Sequence, residues 1–219
     1  MLQGVLFDMD GLMFDTERIG LDGWHKAAET LRIDLPEEII AAMRGTGTDR
    51  CREIFNAAIP GGLYDTAHDL RLRYADEVIA ANGVPVKPGL RTLLRWLKAS
   101  GIPAVLATST NRAKALTYLQ QTDVERYFTA AVFGPEVAHP KPAPDIFLAA
   151  AAAIRADPAH CVVLEDSPNG LQAAKAAGCP AIVVPDLTPA PAEREHLWNY
   201  RAKDLHEVQQ ILLKEREKL

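Results

Sequence analysis

Gly4-Val5-Leu6-Phe7-Asp8-Met9-Asp10-Gly11-Leu12-Met13-Phe14-Asp15-Thr16-Glu17 stands almost at the start of the chain. Its apolar run, Gly4 to Phe7, delivers two carboxylates, Asp8 and Asp10, from what reads as a buried strand. Side chains i and i+2 of a strand point the same way, and Gly11 then forces a turn, so the two acids are crowded. Such a pair persists when a cation neutralises it or when one member carries a proton. A hard cation such as Mg²⁺ takes oxygen ligands of this kind and can share them with a phosphate. The same groups supply a nucleophile and a general acid/base, which makes Asp8 and Asp10 the candidate catalytic residues. A calcium loop does not fit. Counted from Asp8, Gly11 is fourth and Ile19 twelfth, whereas an EF-hand needs Gly sixth and Glu twelfth, after a helix.

Three later segments bear on the same chemistry. A second apolar strand, Ile102 to Ala107, ends in Thr108-Ser109-Thr110-Asn111, where small hydroxyls ahead of a helix can hold a phosphate. Lys141 lies in His139-Pro140-Lys141-Pro142-Ala143-Pro144-Asp145, a loop that its prolines stiffen. A third strand, Cys161 to Leu164, ends in Glu165-Asp166-Ser167 and leads into another helix. Singly, these read as helix caps and a solvated loop charge. Together they describe one site, because in an open α/β sheet the ligand lies at the carboxyl ends of the strands.

The rest of the chain has two compositions. After Phe14 helical periodicity takes over until about Ala81, with Leu21, Trp24, Ala28 and Leu31, then Ile39, Ala42 and Met43, then Leu70, Tyr74, Glu77 and Val78 in phase. A turn-rich break follows from Asn82 to Gly89. Beyond it, helices near Leu90–Ala99, Arg112–Gln121, Asp145–Ile154 and Asn169–Ala177 alternate with strands at 102–107, 130–133, 161–164 and 181–184. This alternation implies an α/β fold, a doubly wound parallel sheet core with an inserted all-helical cap domain. Residues 1–14 and 83–219 are expected to form the core and 15–82 the cap. The connections near Phe14–Arg18 and Asn82–Gly89 would act as hinges for a closure that excludes water.

These residues closely resemble the haloacid dehalogenase superfamily of phosphotransferases. Asp8-Met9-Asp10-Gly11 looks like its first motif, Thr108 or Ser109 its second, Lys141 its third and Glu165-Asp166 its fourth. The stretches Lys141–Phe147 and Glu165–Gly170 resemble the β-phosphoglucomutase-like branch, which includes sugar-phosphate phosphatases. The resemblance implies a phosphomonoester hydrolase with an aspartyl-phosphate on Asp8 and acid/base catalysis by Asp10. It implies Mg²⁺ held by Asp8, the Asp10 backbone carbonyl and Asp166, with Glu165 a further ligand or an orienter of metal-bound water. Gly11, Thr108, Ser109, Lys141 and, in the cap, Glu17 are the expected substrate contacts. The alternative is a phosphomutase. β-Phosphoglucomutases similar to this chain carry a histidine ten residues after the second aspartate, where this chain has Gly20.

Composition narrows the partners. The 219 residues are enough for a substantial core, and a net charge of −5 offers no electrostatic case for nucleic acid. The three cysteines suggest a reduced, cytoplasmic protein. No apolar stretch reaches membrane length, and the charges of Lys214–Lys218 would solvate a terminal helix. The six histidines lack metal-ligand spacing. The expected partner is a small phosphorylated metabolite of the sugar-phosphate kind, met by a monomer. Arg44-Gly45-Thr46-Gly47 could touch its hydroxyls or a second phosphate, or simply be a solvated helix end.

Overall fold

The computed structural model describes residues 1–187, 189 and 192–215; residues 216–218, at the end of the expected terminal helix, lie outside them. The chain divides into two compact units, one of residues 1–14 with 86 onward, the other Asp15–Pro85. The second boundary thus falls after Pro85 instead of after Asn82. Gly83, at φ 78°, ends the last helix of the smaller unit, yet the Asp15 N–H donates to Pro85 O at 2.9 Å and keeps that segment with it.

The smaller unit is helical: α1 (Thr16–Leu31), α2 (Glu37–Met43), α3 (Thr48–Ala58) and α4 (Tyr64–Asn82). Its core gathers Trp24, Phe55 and Tyr64, with ring centroids 5.7 to 6.2 Å apart. The face that α1 buries is Gly20, Gly23, Trp24 and Ala27, so Leu21 and Ala28 flank the seam and do not form it. The reason is backbone proximity. A Cβ on Gly23 would lie 2.9 Å from Arg71 O on α4, so bare glycine lets the two helices approach. In α4 the buried positions are Tyr64, Ala67, Ala75 and Ile79, while Glu77 is exposed. In α2, Ile40 and Met43 are buried and Ala42 faces solvent.

The larger unit holds β1 (Gly4–Phe7), β2 (Ala104–Thr108), β3 (Phe128–Phe133), β4 (Cys161–Glu165), β5 (Ala181–Val183) and a two-residue β6 (Tyr200–Arg201). Between them run α5 (Leu90–Ala99), α6 (Arg112–Gln121), α7 (Asp145–Ala153), α8 (Pro168–Ala176) and α9 (Leu205–Glu215). All strand pairs are parallel, in the order β3-β2-β1-β4-β5-β6. Every residue of β1, β2, β4 and β5 is buried, which is why their sequences are apolar runs instead of alternating, broken only by Thr108 and Glu165 at the ends of β2 and β4. Leu6, Val105, Ala107, Cys161, Val163 and Val183 pack with Ile146, Phe147, Leu171 and Ala174 of α7 and α8. Burial pushes the Cys161 and Cys179 thiols up to about 11 and about 12, which leaves them unreactive.

The order of the strands decides where chemistry is possible. From β1 the chain moves to β2 and β3 on one side, then to β4, β5 and β6 on the other. The carboxyl ends of β1, β2 and β4 therefore flank the point where the winding reverses, the place where open α/β sheets bind ligands. At the return from the helical unit, Phe14 bridges Val86, and Lys87 Nζ pairs with the buried Asp186 carboxylate at 2.6 Å. Among the described residues no helix is long and apolar enough to cross a membrane.

Candidate active site

Asp8 follows the last residue of β1, its N–H donating to Leu164 O of β4 at 3.1 Å. The chain then folds tightly: Met13 N–H donates to Met9 O at 2.8 Å, and Gly11, at φ 83°, donates its N–H to Phe14 O at 2.9 Å. A residue with a side chain would be strained at that φ, so Gly11 is a turn requirement here. Met9, Leu12, Met13 and Phe14 are buried, and they anchor the loop that carries Asp8 and Asp10.

Lys141 ties three strand ends together. Its Nζ donates to Asp8 Oδ1 after β1, to Ala107 O of β2 at 3.2 Å and to Glu165 Oε1 of β4 at 2.7 Å. It also lies 4.9 Å from the centre of the Phe147 ring. The peptide bond from Lys141 to Pro142 is cis. Burial alone would lower the lysine's pKa, but the Asp8 and Glu165 carboxylates outweigh it and hold the ammonium charged.

Glu165 is fully buried and fully used. Its Oε2 accepts from the Asp166 N–H at 3.0 Å and from the Ser167 N–H and hydroxyl, each at 2.9 Å. Ser167 is in turn the N-cap of α8, its Oγ accepting from Gly170 N–H at 3.1 Å. Asp8, Glu165 and Asp166 each offer a carboxylate oxygen within 4.8 Å of one another. Three carboxylates against one ammonium leave two negative charges, which a divalent cation would balance. The donors are all hard oxygens, so the set suits Mg²⁺. Without a cation the Asp8 carboxyl is pushed up from 3.8 to about 7. Burial is the main cause, and the Lys141 charge opposes it while Glu165 adds to it.

The end of β2 divides the labour among three hydroxyls. Thr108 is buried and its Oγ1 accepts from Thr110 N–H at 3.1 Å. Ser109 is exposed, and its backbone passes so close to Gly134 that a Cβ there would lie 2.8 Å from Ser109 O. Thr110 Oγ1 donates to Asp10 Oδ2 at 2.7 Å. None of the three caps α6. That role belongs to Asn111, whose Oδ1 accepts from Lys114 N–H at 3.0 Å.

The structure thus brings Asp8, Lys141, Glu165 and Asp166 together, with Asp10 and Thr108 linked to the same strand ends through Thr110. Glu17 lies in the first turn of α1, in the other unit. In that unit Thr46 Oγ1 donates to Met43 O at 2.8 Å, and Arg50 pairs with Glu53 at 2.7 Å. Thr110, Ser167 and Gly170 lie inside the quoted motifs but were not singled out by residue type. Their roles depend on close approaches that spacing does not encode.

The haloacid dehalogenase-like hydrolase family matches residues 2–178. A phosphorylated carbohydrates phosphatase from Thermotoga maritima is 32% identical over 81% of this chain and 82% of its own. A β-phosphoglucomutase from Bacillus subtilis is 32% identical over 84% and 83%. The crystal structure of CbbY from Rhodobacter sphaeroides in complex with phosphate superposes with a TM-score of 0.77, at 25% identity over 95% of this chain and 96% of that one. With its motif residues gathered at the reversal of a parallel sheet and a family match across most of its length, this chain belongs to the haloacid dehalogenase-like hydrolases.

Proposed function

We propose that this protein is a Mg²⁺-dependent phosphomonoester hydrolase acting on a small phosphorylated metabolite of the sugar-phosphate class. The observation that carries this reading is the convergence of Asp8, Lys141 and Glu165, with Asp166 beside them, at the ends of adjacent strands. The Asp8 carboxylate attacks phosphorus in line as the bond to the leaving oxygen breaks, giving an aspartyl-phosphate. Asp10 gives a proton to the leaving alcohol and later takes one from the water that hydrolyses the intermediate. Lys141, held by Glu165, fixes the Asp8 carboxylate and offers positive charge to the phosphoryl group. Thr108 and the backbone at Ser109 hold phosphate oxygens, and Gly11 gives the loop its turn.

Asp8, the Asp10 carbonyl and Asp166 are the proposed ligands of Mg²⁺, which when bound neutralises charge on the phosphate oxygens. Glu165, with both oxygens already accepting hydrogen bonds, is assigned to orienting Lys141 and the Asp166 turn. The protein is proposed to act as a monomer. Glu17 is the proposed contact of the helical unit with substrate.

The mutase alternative has the β-phosphoglucomutase relative in its favour. Against it stands Gly20, which has no side chain to supply the acid/base group at the position where those mutases carry a histidine. The test is phosphate release from a panel of phosphomonoesters including β-glucose 1-phosphate, with Mg²⁺ and with chelator, for wild type and Asp8→Asn. Mg²⁺-dependent release that Asp8→Asn abolishes is the expected result. Glucose 6-phosphate forming without phosphate release would replace the hydrolase with the mutase.

A further inference from the structure

We infer that Thr110 is a positioning residue for Asp10: its hydroxyl, donating to Oδ2, holds the carboxylate in the orientation from which it exchanges protons with the substrate. The inference rests on the hydrolase reading above and adds a residue to it. Thr110 is joined to both sides of the site. Its N–H donates to Thr108 Oγ1 at 3.1 Å and its Oγ1 donates to Asp10 Oδ2 at 2.7 Å. The first bond fixes the Thr110 backbone relative to the end of β2, and the second carries that position across to the loop after β1.

A free aspartate can turn about its last torsion and present either oxygen. The short bond from Thr110 Oγ1 to Oδ2 restrains that torsion. In the first step the Asp10 carboxyl O–H bond breaks as the proton moves to the leaving oxygen, while the bond from phosphorus to that oxygen breaks and the Asp8–phosphorus bond forms. In the second step the Asp10 carboxylate takes a proton from water as the water oxygen bonds phosphorus and the Asp8–phosphorus bond breaks. No other reactant is needed, and protons balance over the cycle.

The residue's two neighbours have different work. Ser109 is exposed, and the buried Thr108 hydroxyl accepts from the Thr110 amide. Among the three hydroxyls only that of Thr110 is seen bonded to Asp10.

The test compares two esters with Mg²⁺ present: an alkyl phosphate such as a hexose phosphate, whose leaving oxygen needs a proton, and p-nitrophenyl phosphate, whose leaving phenolate does not. Thr110→Val keeps the shape and removes the hydroxyl. It should lower kcat/KM for the alkyl ester about 10- to 100-fold, a fraction of what a general acid contributes, with the aryl ester changed less than about 3-fold. Thr110→Ser should restore the alkyl rate, and Thr110→Ala, which adds no bulk, should repeat the valine result. An equal loss on both esters, or no loss on either, with wild type active on both, overturns the inference alone. A wild type inert towards both overturns the hydrolase reading and the inference with it.

Discussion

Gly170 and Glu165 fit together with no room between them: a Cβ on Gly170 would lie 1.7 Å from Glu165 Oε1 and 1.9 Å from its Cδ. A buried carboxylate that holds Lys141 and the Asp166 turn therefore depends on the absence of a side chain in the first turn of α8. Gly170→Ala must displace that carboxylate or the start of α8. It is expected to cost about 3 kcal/mol of stability, as overpacking in a filled core does, and to lower kcat/KM about 100-fold or more through the loss of Lys141 alignment. Denaturant unfolding together with turnover on the best ester checks both; a variant with wild-type values in each would refute the coupling.

Lys141 is the ammonium that pairs with Asp8 and Glu165, so its removal leaves buried charge uncompensated. Lys141→Met is expected to destabilise the metal-free protein by about 3 kcal/mol or more and to abolish turnover. Lys141→Arg should not rescue activity, because a planar guanidinium cannot aim its N–H groups at Asp8, Ala107 O and Glu165 together. Recovery of more than about a tenth of wild-type kcat in the arginine variant would contradict that geometry.

The raised Asp8 carboxyl makes a signed prediction about pH. Between 3.8 and about 7 the folded, metal-free chain keeps a proton there that the unfolded chain has released. Stability must then fall as pH rises through that window and stay at its reduced level above it. Asp8→Asn removes this dependence. Measured in chelator, its stability relative to wild type should climb across the window by an amount on the order of a few kcal/mol and level off above it. A gap constant from one end to the other would show that Asp8 titrates alike in both states.

Mg²⁺ should reverse that penalty. An ion that binds only the folded state at a hundred times its Kd stabilises by about 2.7 kcal/mol, so Tm should rise with added Mg²⁺ and fall back with chelator. Asp166→Asn, which takes one carboxylate from the three, should lose most of that rise. Thermal melts over a Mg²⁺ titration give the comparison, and an unchanged shift in the variant would remove Asp166 from the ligand set.

Much of this was legible in the sequence, and for one reason. Strands covered on both faces must be apolar at every position, so Gly4–Phe7 and Cys161–Glu165 stand out, and the acids that end them are conspicuous. Helices α5 and α6 begin and end where periodicity places them. The two-residue β6 was not legible, because it is too short to carry a pattern. Nor were the buried faces of α1 and α4, where Gly20, Gly23 and Ala67 do the packing that larger apolar residues were expected to do. Thr110 escaped notice because Thr108, Ser109 and Thr110 are alike in type. Only the geometry of the turn gives one of them to Asp10.

The place of β1 has a consequence for how the chain acquires its shape. This four-residue strand lies in the middle of the sheet, and both its neighbours come from far along the sequence: Val5 pairs with Ala104 on one side and with Val162 on the other. During synthesis the residues that carry Asp8 emerge before either neighbour, and β1 has no strand partner until the ribosome has passed the whole helical segment and more. Loop closure of that span is slow, and an unpaired apolar strand is exposed to aggregation while it waits. β1 gains its second neighbour only after Cys161–Glu165 has been made, so the same late event that buries β1 also brings Asp8, Glu165 and Asp166 together. A truncated chain, lacking β4, would carry Asp8 with neither the neighbouring strand nor the carboxylates that gather around it.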